Sequence, residues 1–137
     1  MNRISEDIAV IVAKAPASLA SATEMTSDYI SAAGRSSIDF VVQFAELDAE
    51  KTLTVEIYQA DDSSGTNAAK LAEATFTAPS AITAGGRAIA SINPAGDSKP
   101  YYAVKLQHDQ GAAVVCGVLA LCREIYLPPD AGWVLQA

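Results

Sequence analysis

Apolar and polar side chains alternate one by one through SIDFVVQF: Ile38, Phe40, Val42 and Phe44 fall on one side, Ser37, Asp39 and Gln43 on the other. A period of two is the geometry of an extended strand with one covered and one wet face. TLTVEIYQ repeats it with Leu53, Val55 and Ile57 against Thr52, Thr54 and Glu56, and YYAVKLQ with Tyr102, Val104 and Leu106 against Lys105 and Gln107. LAEATFT and RAIASI fit weaker strands. AGRSS, DDSSG, AGG, NPAGD and HDQG lie between these runs and supply turn chemistry. Regular short strands with this punctuation predict an all-β fold, an antiparallel β-sandwich of jelly-roll type.

A length of 137 residues suits one domain with a real core. Alanine is abundant and aromatics are few, 7% of the chain, so buried surface between subunits would add to a modest core. The net charge of −7 excludes a nucleic-acid partner, whose phosphates such a surface repels. Nowhere do about 18 apolar residues stand in a row, so no membrane-spanning helix is expected. The N-terminal run is also a poor secretion leader. Glu6 and Asp7 precede a short apolar stretch from Ile8 to Ala13, and Lys14 and Pro16 break the run beyond it.

Two segments break the alternation. Ala112 to Leu121 is apolar on both faces, as in a strand covered on both sides. It reads either as a wholly buried core strand or as one that meets a second subunit, and on the second reading Val114, Cys116 and Val118 are the partner-facing candidates. The N-terminus fits a helical stripe of Ile4, Ile8 and Ile11, or a strand with Ile8, Val10 and Val12 in phase. Pro16 and the small polar residues to Ser27 read as a linker. The expected division is an arm over residues 1–25, docking on a partner through Ile4, Ile8 and Ile11, and a sandwich over 26–137.

Residues that could carry chemistry are sparse. Cys116 and Cys122 stand six apart, about 20 Å along one strand face, too far to bridge. They read as reduced, buried thiols. His108 is the sole histidine and stands beside Asp109, but strand neighbours point apart, so the pair reads as a solvated turn rather than part of a Ser-His-Asp set. Asp61 and Asp62 with Ser63 and Ser64 could offer oxygens to calcium, although the EF-hand spacing is absent and such residues commonly close turns. No catalytic residue, cofactor or metal site is expected. Trp133 and Tyr101 are the aromatic candidates for a sugar platform.

The strand TLTVEIYQA, its DDSSGT loop, and the alanine, lysine and Ala/Thr-rich strand beyond the loop resemble structural proteins of tailed bacteriophages. The likeness runs from Ser37 to Thr77, more loosely through YYAVKLQHDQGAAVV, and covers about half the chain; YLPPDAGWVLQ has no counterpart in it. The resemblance implies a head decoration (cement) protein. Such a protein sits on the capsid exterior, is made in the host cytoplasm, has the major capsid protein as partner and commonly forms homo-trimers. A tail or connector component, or a carbohydrate-binding, receptor-binding sandwich, is the alternative.

Overall fold

Alternation becomes two sheets because each strand can bury only one face, and the buried faces must meet. The computed structural model describes residues 4–94, 99–125, 130 and 132–135. After one helical turn, α1 (Ile4–Asp7), the strands are β1 (Ile8–Leu19), β2 (Met25–Thr26), β3 (Ile30–Ser31), β4 (Arg35–Phe44), β5 (Thr52–Ala60), β6 (Ala69–Thr77), β7 (Gly86–Ile92), β8 (Tyr101–His108) and β9 (Val114–Glu124). One sheet runs β1-β9-β4-β7; the other runs β2-β8-β5-β6, with β3 also pairing β8. All pairings are antiparallel. If β2 and β3 are taken as one interrupted strand, this is the eight-strand jelly-roll order. Every connection except the β5–β6 hairpin then crosses between sheets. Part of the NPAGD turn lies outside the described residues.

The core is the set of in-phase residues. Ile38, Phe40 and Val42 of β4 face Leu53, Val55, Tyr102, Val104 and Leu106 of the second sheet, all essentially without solvent contact. Ala9, Ala13, Ala90 and Ala120 take further inward positions of the first sheet with small side chains. Ser27 repairs the break between β2 and β3: its hydroxyl accepts from the Val104 N–H at 3.0 Å and donates to the Asp28 carbonyl at 3.1 Å.

The expected arm is corrected for its main part. Ile8–Leu19 is the edge strand of the first sheet, in register with β9 from Ile8↔Arg123 to Leu19↔Val114. Its buried residues are Ala9, Ala13 and Leu19, so the inward phase is written mostly in alanine and the larger Ile8, Val10 and Val12 fall on the other. The register shifts between Lys14 and Ala17, around Pro16. A proline without an N–H is tolerated there because β1 lies at the sheet edge. The supposed linker also pairs, through Met25 and Thr26 on β8.

Candidate functional site

The inward phase of β9 is Val114, Cys116, Val118, Ala120 and Cys122, each at most 2% exposed. Its outward phase is therefore Val115, Leu119 and Leu121, and strand pairing extends it sideways. Val12 pairs Leu119, Leu119 pairs Val41, and Val41 pairs Ile89. One aliphatic row thus crosses all four strands, about 14 Å at three strand spacings. Val12 is 58% and Ile89 60% exposed, with Leu119 and Val41 half-buried between them. Val10 and Leu121 form a second, shorter row that ends on Asp39 and Ser91. Gln43, paired with Gly117 and Arg87, bounds the opposite side.

The outer face of the second sheet has a different chemistry. Glu56 pairs Lys105 and Glu73, and Tyr58 pairs Ala103. Lys70 Nζ reaches Glu73 at 2.7 Å and Glu56 at 3.2 Å, and Lys105 Nζ stands 4.2 Å from the centre of the Tyr58 ring. Hydrogen bonds from Lys70 to Glu73 and then to Glu56 hold the ammonium well above the usual lysine value, while Lys70 draws the Glu73 carboxyl down. Desolvation, then the neighbouring Glu56, pushes the Tyr58 phenol up. The Thr54 and Thr75 hydroxyls bond each other at 3.0 Å. Lys70 thus pairs with both glutamates of this face, although Glu56 Oε2 is buried with no hydrogen-bond partner among the described residues.

A third feature lies along the edge the two sheets share. Ala72, Ala74 and Phe76 of β6 stand opposite Ile57, Val55 and Leu53, so they point inward, yet the whole strand is exposed apart from the half-buried Ala69. β6 overhangs the first sheet, which ends at β7. The overhang leaves an apolar groove of about 180 Å³ lined by Val55, Ile57, Ala74, Phe76, Ile89 and Ala90, among others.

The expected interface residues divide. Val114, Cys116 and Val118 belong to the protein's own core and present nothing to a partner, because strand phase turns them inward. Ile11 packs partly against the same core, Ile8 is half-buried in β1, and Ile4 is 61% exposed on α1. Residue-by-residue phase along β9 points instead to Val115, Leu119 and Leu121. The sequence signal is present in the doubly apolar run, but its partners Val12, Val41 and Ile89 come from three other segments.

His108 is not solvated as expected: it is 3% exposed, at an inward position opposite Leu53. Its Nδ1 accepts from the Gln110 N–H at 3.1 Å, so Nε2 carries the proton and donates to the Leu19 carbonyl at 2.6 Å. Both ring nitrogens serve packing. Asp61 and Asp62 close the β5–β6 loop. Asp62 accepts from the Ser64 and Thr66 N–H groups and from the Thr66 hydroxyl, and Asp61 accepts from Asn67 and Lys99. These bonds hold both carboxyls below their ordinary values, as the Thr52 N–H does for Asp109. Gly65, at φ +81°, packs so closely on the Tyr29 ring that a Cβ would stand 2.8 Å from it. Cys116 and Cys122 are free and buried, and desolvation raises both thiols. Tyr101 opens β8 in the second sheet, whereas Trp133 comes after Asp130, whose carbonyl accepts from Val10 of β1 at 2.8 Å. Tyr126 to Pro129 lie outside the described residues. Among the described residues, no cluster of His, Cys, Asp and Glu is arranged to hold a metal ion, and no helix is long and apolar enough to cross a membrane.

No protein-family model and no curated protein matches this sequence. Among solved structures, the chain is similar to the PBSX exported protein XepA, with a TM-score of 0.58 at 12% identity, over 100% of this chain and 44% of that one. It therefore spans less than half of that protein. A chain of the T13 IBDV viral particle overlaps at a TM-score of 0.48 and 14% identity, over 88% of this chain and 31% of that one. The CBM22-1-GH10 modules of a Clostridium thermocellum xylanase, complexed with xylohexaose, overlap at 0.46 and 11%, over 90% and 26%. The first likeness shows a shared sandwich fold; the other two are looser overlaps. What the chain has in common with XepA is the fold, an antiparallel β-sandwich.

Proposed function

We propose that this protein is a structural component of a virus particle: a decoration or cement protein of a tailed-phage head, bound to the exterior of the major capsid lattice as a homo-trimer. It acts by buried area rather than by catalysis. The observation that carries this reading is the aliphatic row Val12–Leu119–Val41–Ile89 on the outside of a sheet whose inside is already packed. A contiguous apolar face rimmed by Asp39, Ser91, Gln43 and Arg87 has the composition of a docking surface. The resemblance of Ser37–Thr77 to tailed-phage structural proteins, the net charge of −7 and the jelly-roll strand order support the setting.

A density map of particles that carry the gene tests it. The expected result is many copies on the head exterior, in threes, with the β1-β9-β4-β7 face toward the lattice. Absence from the particle, or a place in the tail or connector, overturns the head assignment.

A further inference from the structure

Beside the aliphatic row, two further apolar elements are uncovered among the described residues, and they sit at opposite edges of the first sheet. Trp133 is 105% and Leu135 98% exposed, on a segment anchored through the Asp130 carbonyl to the free edge of β1. The β6/β7 groove lies at the other end of the same sheet order. From Asp130, one step outside β1, to β7 is four strand spacings, about 19 Å. The three residues from Asp130 to Trp133 reach about 10 Å when fully extended. Both side chains are fully exposed, so neither lies in the protein's own groove.

We propose that Trp133–Leu135 of one copy seats in the β6/β7 groove of the next, joining copies of this chain head to tail. The chain bends at Trp133; drawn out as a strand on docking, it puts Trp133 and Leu135 on the same side, two residues apart, the period at which Ala72, Ala74 and Phe76 repeat along the groove wall. The wall has a small-residue recess at Ala72 and Ala74 beside the Phe76 ring, which suits an indole. At about 180 Å³ the groove is smaller than ordinary small-molecule pockets but ample for one large side chain. Among the described strands, β6 pairs only β5 and β7 only β4, so each has a free backbone edge for an incoming extended segment. Donor and acceptor are different surfaces, so the contact is heterologous and closes into a ring or runs on as a filament. The inference rests on the reading of this protein as an assembling structural component, and it names how the copies join.

The test is sedimentation equilibrium of the full chain without capsids, at concentrations up to about a hundred micromolar. A tail variant carries Trp133→Ser and Leu135→Ser; a groove variant carries Ala74→Arg, an exposed position where the new side chain can reach water. Far-UV circular dichroism and melting of both should match the wild type, since neither position supports the core. The wild type is expected above 14.2 kDa, and each variant alone should associate at least tenfold more weakly. An equimolar mixture should recover one contact and form pairs that grow no further. A monomeric wild type, association unchanged in either variant, or a mixture that stays monomeric overturns the proposal. Copies that join this way but are missing from particles count against the head assignment alone. A particle-bound protein whose association ignores Trp133 counts against this contact alone.

Discussion

At the middle of the four-stranded sheet the outward residues are Val41 and Leu119; at the middle of the five-stranded sheet they are Glu56 and Lys105. Apart from β6, whose inward residues line the open groove, both sheets pack their inward residues into one shared core, so the main contrast lies in what they show to the outside. The second sheet answers its own charges, Lys70 with Glu56 and Glu73, Lys105 with the Tyr58 ring. The first sheet has an aliphatic row and no side chain of its own to cover it. Water solvates the one at little cost and gains by losing contact with the other. A face of the first kind is finished as it stands; a face of the second kind invites a partner.

The sharpest way to break this distinction uses neighbours on β9. Val118→Asp places an unpaired charge among core residues and is expected to cost on the order of 4 kcal/mol or more, a large share of the stability of a domain of this size. Leu119→Asp, one residue on, points outward and should keep the urea midpoint close to wild type. If both unfold the chain, the row is core and not surface.

Smaller, but still within the core, is the effect expected for His108→Ala. It strands the Leu19 carbonyl and the Gln110 N–H, worth about 1–3 kcal/mol by urea denaturation. Gly86→Ala belongs to the same range, about 1–3 kcal/mol, because a Cβ there would run into the Phe44 ring. A neutral outcome for either means that the seam under that end of the sandwich is loosely packed.

Acid should separate the two sheets. The carboxyls of Asp61, Asp62 and Asp109 titrate below their ordinary value of 3.8 in the fold; the first two sit in the β5–β6 loop of the five-stranded sheet and Asp109 directly after its strand β8. A depressed folded pKa gives stability that is present above the unfolded value and is lost as pH falls through the folded one. The melting temperature should therefore hold above about pH 4 and decline below it. Asp62→Asn should flatten that decline, and amide exchange near pH 3 should open the β5–β6 loop before β4 or β9. The smallest effect is expected for Lys70→Ala, an exposed, water-screened cation whose loss should barely move the melting temperature. A large loss would mean that the ionic face holds the sheet together.

Much of this architecture is legible in the chain. Clean alternation in β4, β5 and β8 locates those strands and their buried residues, because large apolar side chains mark the inward phase. β1 misleads because the fully buried residues of its inward phase near the start are Ala9 and Ala13, with Ile11 only partly covered between them, while its isoleucines imitate a helical stripe. His108 misleads because a buried imidazole looks like a turn residue until the Leu19 carbonyl is brought beside it from another strand. The candidate face is half visible: Ala112 to Leu121 announces a strand with two apolar sides. Which side meets the core depends on phase, and the row across it depends on pairings between segments far apart in sequence. The overhang of β6 has no sequence signal, since Ala72, Ala74 and Phe76 read like any half-buried strand.

The central claim is that the aliphatic outer face, not the ionic one, meets the particle. Purified heads stripped of this protein, titrated with the wild type and with one charge-altering change on each face, test it most directly. Val41→Asp, at the middle of the aliphatic row, is expected to weaken binding about a hundredfold or more, whereas Lys105→Glu should bind within about twofold of the wild type, both with unchanged melting. Binding that survives Val41→Asp and is lost with Lys105→Glu would contradict the account.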